Sequence, residues 1–237
     1  MIPPESLSGV RVLSFDLYGT LVDMQGGLVE AIAPFLLQKG YAGHPNSVVT
    51  WWRRTHFQDS MIDALIKRGH TPYREIGRRA LSYTLTRAGI PYTGEEVRTL
   101  VSAIERLKPF ADVSPGLTKL KARYRLAILS NGDTDMLQNA SFHHGLACDD
   151  IISIDLADSF KPDHVTYKKA AQMLGAEISQ VCHVAAHPFD CIGAKASGMR
   201  TIYVNRRSRP YGFSPHQPDL QVRDFTELVD RLAPPEG

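Results

Sequence analysis

Four short segments of this sequence carry side chains able to make or break bonds. Asp16 follows the apolar run Val10 to Phe15 and precedes Gly19. A carboxylate at the carboxyl end of a buried strand, beside a loop with free backbone N–H groups, can attack carbon or phosphorus. Taken alone, the same residue could simply cap the turn. Ser130-Asn131-Gly132 ends a second apolar run, and Lys161-Pro162 follows Phe160. The fourth segment is Ala185-Ala186-His187-Pro188-Phe189-Asp190. Each puts a polar group where a strand gives way to a loop. His187 adds an imidazole that titrates near neutrality and can move a proton.

For these groups to meet, their strands must run parallel with the exits along one edge. From Lys108 onward the sequence alternates in the way such a sheet requires. It predicts helices over 115–123, 133–144, 163–174, 189–197 and 224–232, and strands over 125–130, 151–154, 181–185 and 200–204. The expected fold is α/β, a Rossmann-like doubly wound parallel sheet covered on both faces. Between Met24 and Leu107 there is no strand signal. Helices are predicted over 26–40, interrupted or kinked at Pro34, and over 45–67 and 72–88. A fourth opens at Thr93-Gly94-Glu95-Glu96, which has capping-box spacing. The expected organisation is a core of residues 1–23 plus 108–237, with an inserted helical cap, 24–107, above the strand ends. The loop 206–218, with Arg206, Arg207 and Arg209, reads as solvated surface.

Composition narrows the classes. The 237 residues are 43% hydrophobic and 22% charged, a globular rather than disordered balance. A net charge of +2 is too small to argue for a nucleic-acid partner, and no apolar run reaches membrane-spanning length. Residues 1–9 show no leader pattern, so the cytoplasm is the expected compartment. Cys148, Cys182 and Cys191 have no metal or disulfide spacing and read as ordinary reduced thiols, although Cys191 lies near a helix start, where thiol pKa values fall.

The order Asp16, Ser130, Lys161, Asp190 resembles the haloacid dehalogenase superfamily, over nearly the whole chain. Most of that superfamily are magnesium-dependent phosphohydrolases with a second Asp two residues after the nucleophile. Here that position is Tyr18, whose phenol, with an ordinary pKa of roughly 10, is a poor acid near neutrality. The residues around Asp190 also lack the extra acid expected of a magnesium site, so neither metal nor cofactor is expected. Lys161 can balance Asp16 instead. Such a site suits a leaving group that needs neither proton nor metal, and halide fits.

Within the superfamily the chain is similar to the L-2-haloacid dehalogenases. Asp16-Leu17-Tyr18-Gly19-Thr20-Leu21 matches their opening motif, Trp52-Arg53 their cap pair, and Leu129-Ser130-Asn131-Gly132 their second motif. Lys161 and Tyr167 keep their six-residue spacing. The resemblance implies Asp16 as nucleophile, Lys161 as its counter-cation, and Arg53 and Asn131 as halide acceptors aided by Phe189. Ser130 and the N–H groups of Leu17 and Tyr18 would bind a small anionic carboxylic acid. Thr20 and Tyr167 are placed with this substrate-side group, Tyr167 supporting from behind. Dimerisation through cap helices is also implied. The last motif departs, with Ala185 and His187 where the family has Ser and Asn. Water activation then falls to Asp190 or His187.

Hydrolysis of 2-haloacids through an aspartyl ester is therefore the expected activity. One alternative opens a strained cyclic imino acid of the azetidine-2-carboxylate type, with His187 or Tyr18 protonating the leaving nitrogen. The others are a magnesium-dependent phosphatase and a non-enzymatic binding module.

Overall fold

The apolar run before Asp16 forms β1 (Val12–Phe15), every residue of which is buried. In this computed structural model, residues 5–67 and 69–233 are described; the first four residues of the stretch read for a leader lie outside them. Five further strands pair in parallel: β2 (Arg125–Ser130), β3 (Asp150–Ser153), β4 (Val181–Ala185), β5 (Arg200–Val204) and β6 (Leu220–Val222). Their order is β3-β2-β1-β4-β5-β6. The order reverses between β1 and β4, and the loops leaving these two strands part there to open a crevice. Asp16 stands at that point, its N–H held by the Val184 carbonyl (3.1 Å). β6 was not anticipated. It is three residues long, sits at the sheet edge and emerges from a polar loop, so it carries little hydrophobic signal.

Among the described residues, four α-helices lie between β1 and Leu107: α1 (Met24–Gln38), α2 (Pro45–Ile66), α3 (Tyr73–Arg87) and α4 (Gly94–Ser102). α1 runs on through Pro34 without interruption, and starts earlier than expected because the Asp23 carboxylate accepts the Gly26 N–H (2.9 Å). The Thr93–Glu96 capping box closes reciprocally at the head of α4. The remaining helices are α5 (Val113–Lys121), α6 (Thr134–His144), α7 (His164–Met173), α8 (Pro188–Ala196) and α9 (Phe225–Leu232).

One hydrophobic cluster runs from the sheet (Leu13, Phe15, Val184) into the cap (Val49, Trp52, Leu81), so the cap rests on the core through apolar packing. Asp133, in the loop after β2, adds a polar clamp. Its carboxylate accepts the N–H groups of Tyr73 and Arg74 at the start of α3 and faces Arg74 Nε at 3.3 Å. This lets two otherwise unpaired donors of a helix start be satisfied by the core.

Candidate active site

Asp16 sits at the floor of a cavity of about 440 Å³ between the strand ends and the cap. Its two oxygens are held from different directions. Oδ1 accepts from Lys161 Nζ (3.1 Å) and Ser130 Oγ (3.0 Å); Oδ2 accepts from Thr20 Oγ1 (2.8 Å). The positions come from the fold: Ser130 ends β2, Thr20 lies in the β1 loop, and Lys161 follows the short helical turn after β3.

Lys161 is 1% exposed, and its ammonium has three protons to place. They go to Asp16 Oδ1, to Asp190 Oδ2 (2.6 Å) and to the Leu129 carbonyl (2.8 Å). Burial alone would lower its pKa, but the two carboxylates keep it above its ordinary value. The same pairing works in reverse on Asp16. Burial would raise its carboxyl, yet Lys161, helped by His187 and Thr20, holds it well below the usual range. Asp16 is thus ionised and buried, which is what a carboxylate nucleophile requires.

Asp190 does not reach the cavity. It is fully buried on α8, bonded to Lys161 and to the Tyr167 hydroxyl (2.7 Å), with His183 Nε2 3.0 Å from Oδ1. The last contact is off the line of a good hydrogen bond. His183 Nδ1 meets Ser14 Oγ at 2.9 Å. This Ser14–His183–Asp190 line was missed in the sequence, because His183 and Ser14 sit inside strands where neither bears a motif. The only signal was a polar residue on each of two otherwise apolar strands.

Several expectations need correction. Thr20 is a buried support rather than a substrate contact: its hydroxyl orients Asp16 and accepts the Ala186 N–H (2.9 Å), while Tyr167, expected behind the site, holds Asp190. Leu17 is buried, and its N–H is donated to Ser130 Oγ (3.3 Å). Asp190 is too enclosed to meet a water, while His187 lines the cavity with Nδ1 3.5 Å from Asp16 Oδ2. Cys191 is fully buried, and burial pushes its thiol well above its ordinary pKa, so its place on α8 does not activate it.

The cap side is set by α2. Trp52 is buried and donates Nε1–H to the Gly77 carbonyl on α3 (3.1 Å), and Arg53 turns toward the cavity. Helical spacing would separate Arg53 from Arg54, but both line the cavity. The Arg53 guanidinium bonds to Gln25 Oε1 (2.8 Å), and burial, then Arg207, lower its pKa to about 10. Gly19 explains how it comes close to the Asp16 loop. It has φ +91°, and a Cβ there would lie 2.9 Å from the His187 ring and 3.5 Å from Arg53. Only glycine allows that loop shape and that approach. Phe57 and Phe189 form an apolar wall, rings 4.2 Å apart, and Asn131 also faces the cavity, bonded to the Lys161 backbone (2.9 Å).

The loop after β5 is not merely solvated. Arg206 donates to the Thr20 carbonyl (2.9 Å), pairs with both oxygens of Asp112 and lies over the Phe110 ring at 4.0 Å. Arg207 and Arg209 line the cavity mouth. Their proximity to a strand end was the overlooked cue.

Residues 10–198 match the haloacid dehalogenase-like hydrolases. The chain belongs to that family. An (S)-2-haloacid dehalogenase of Xanthobacter autotrophicus is 32% identical over 202 residues, which is 84% of this chain and 77% of that protein. A solved defluorinating L-2-haloacid dehalogenase matches at TM-score 0.85 and 30% identity, covering 98% of this chain and 99% of that one. The Xanthobacter autotrophicus L-2-haloacid dehalogenase solved with chloropropionic acid covalently bound matches at TM-score 0.82 and 27% identity, covering 92% and 96%. The parallel sheet with its helical cap is the architecture these likenesses lead one to expect.

A magnesium ion does not fit the residues present. Among the described residues Asp16 is the one carboxylate lining the cavity, and both its oxygens are engaged. Asp190 is spent on Lys161 and Tyr167. The plus-two residue is Tyr18, a buried phenol stacked on Tyr73 at 5.7 Å, and burial with nearby acidic groups pushes its pKa well above 10. It cannot take the part of a leaving-group acid.

Proposed function

We propose that this hydrolase cleaves the carbon–halogen bond of small (S)-2-haloalkanoic acids through an ester on Asp16, giving 2-hydroxy acids. The observation that carries the reading is the buried Asp16–Lys161 pair with Tyr18 at plus two. It supplies an ionised oxygen nucleophile and no carboxylic acid at the plus-two position for a basic leaving group. The named activities of the relatives support it.

An Asp16 oxygen attacks C2 from behind the halogen, forming the C–O bond as halide leaves and inverting the centre. The substrate carboxylate lies against the backbone N–H of Tyr18 and the Ser130 hydroxyl, whose single proton turns from Asp16 to the substrate. Arg53 and Asn131 receive the halide beside Phe189. A water gives one proton to His187 and adds to the Asp16 carbonyl carbon. The acyl C–O bond then breaks, and the departing oxygen takes the proton back from His187. The hydroxy acid leaves with an oxygen that came from Asp16, while Asp16 loses the water's other proton to solvent and returns as a carboxylate. Lys161 keeps Asp16 ionised, and Thr20, Asp190, Tyr167 and His183 hold the pair in place. The three free cysteines suit a reducing compartment, so we assign the enzyme to the cytoplasm. A dimer through the cap remains part of this reading.

The test is halide release from chloroacetate and both enantiomers of 2-chloropropionate, with and without chelator, plus a single turnover in ¹⁸O-water. Chelator-insensitive release from the (S) enantiomer, with label entering Asp16, is the expected result. Label appearing only in the product, or release abolished by chelator, would overturn the mechanism. Azetidine-2-carboxylate belongs in the same panel, since its consumption without halide chemistry would favour the ring-opening alternative.

A further inference from the structure

The cavity mouth holds more positive charge than this reaction uses. Among the described residues five cations line the cavity, Lys161, Arg53, Arg54, Arg207 and Arg209, against the single carboxylate of Asp16. Lys161 is fully engaged at the floor. Elsewhere arginines are paired: Arg74 with Asp135 (2.7 Å), Arg125 with Asp150 (2.7 Å), Arg206 with Asp112 (3.1 Å), Arg223 with Glu227 (2.8 Å). Among the described residues none of the four cavity arginines has such a carboxylate. Arg53 keeps Nε buried without a partner. Burial and then Arg209 depress the Arg207 guanidinium, as burial and then Arg207 depress Arg53. Asp23 attracts both Arg53 and Arg207 without a salt bridge to either, and Arg207 is still pushed down more by Arg209 than it is raised by Asp23. An anion among the three cations relieves their mutual repulsion.

The chemistry assigns work to one of them, Arg53. Arg207 and Arg209, brought by the loop after β5, have none. The cavity of about 440 Å³ is also far larger than a two- or three-carbon acid fills. A guanidinium presents a planar fork that matches a carboxylate in two hydrogen bonds. We propose that Arg207 and Arg209 form a second anion subsite at the cavity mouth, and that the substrate is a 2-halo acid with a distal carboxylate, a 2-halodicarboxylate. This rests on the dehalogenase reading for turnover, but binding at the subsite does not depend on it.

The experiment compares dissociation constants of unreactive succinate and glutarate with those of propionate and butyrate. It uses the whole protein at fixed ionic strength, by calorimetric titration. Alongside it, kcat/KM is measured for (S)-2-chlorosuccinate and (S)-2-chloropropionate. Wild type is expected to favour the dicarboxylate at least tenfold in each pair. In the double variant Arg207→Gln/Arg209→Gln that ratio should fall to near one, and circular dichroism and melting confirm that the variant is folded. Arg207→Lys/Arg209→Lys, which keeps charge but loses the fork, should fall between. Equal affinity for both acid classes in wild type, a ratio unchanged in the variants, or a parallel loss for both classes would overturn the subsite. A parallel loss would mean long-range attraction only. A dicarboxylate preference in binding without any halide release would sink the dehalogenase reading and leave the subsite standing; halide release without the preference would do the reverse.

Discussion

At the sheet end of the cavity Lys161 lies 3.1 Å from Asp16 and 2.6 Å from Asp190. At the mouth, 2.8 Å from its nearest polar partner, Arg53 has only the neutral Gln25 oxygen. The first set of charges is buried, mutually neutralised and held by hydroxyls; the second is wetter and consists of like charges. Paired charges can be taken out of water because each replaces the other's solvent, and they are then rigid before substrate arrives. Unpaired cations persist only near solvent, and they leave room for an anion the protein does not provide. Mutations at the two ends should therefore fail in different ways.

The largest expected loss is at the nucleophile. Asp16→Asn should lower kcat, read as halide release, by at least about 10⁴-fold, a loss of the order seen when a covalent nucleophile is removed, while circular dichroism of the purified variant checks that it is otherwise folded. Next comes Lys161→Met. It leaves two buried carboxylates without their cation, so it should cost roughly 3–5 kcal/mol in urea unfolding as well as most activity. Arg53→Gln provides the contrast. It should reduce kcat/KM about 10- to 100-fold, some 1.4–2.7 kcal/mol of barrier. Its urea midpoint should hold or rise, because it removes repulsion with Arg207. Equal destabilisation by Lys161→Met and Arg53→Gln would erase the distinction between the two ends.

The acid response sharpens the comparison further. The Asp16 and Asp190 carboxyls are held below their ordinary pKa in the folded protein. Their contribution to stability is present above the unfolded value of about 3.9 and is lost as pH falls below it. Urea midpoints between pH 3 and 7 should drop steeply only at the acid end. In Lys161→Met that slope should flatten or reverse. The smallest effect is expected for Tyr167→Phe, which deletes one hydroxyl bonded to Asp190 (2.7 Å). About 1–1.5 kcal/mol of stability should go, read as a lowered melting temperature, with activity largely kept.

Much of this protein can be read along the chain. Strand exits at Asp16 and Ser130, the six-residue Lys161–Tyr167 spacing, the Thr93 capping box and the helical insert between β1 and β2 are local patterns, and they were legible because periodicity and turn chemistry act over a few residues. What tertiary structure decided is which of these side chains spend themselves on each other. Thr20, Tyr167 and Asp190 look like site residues by motif, yet packing turns them behind Asp16 and Lys161, out of the cavity. His183 and Ser14 carry no motif and still join the network, because β1 and β4 are neighbours only after folding. Arg207 and Arg209 look like surface, and the sheet order carries their loop to the rim above Asp16. Sequence spacing fixes what lies within a turn or two of a residue; hydrogen bonds and charges are satisfied by distance in space, and that distance exists only once the strands have paired.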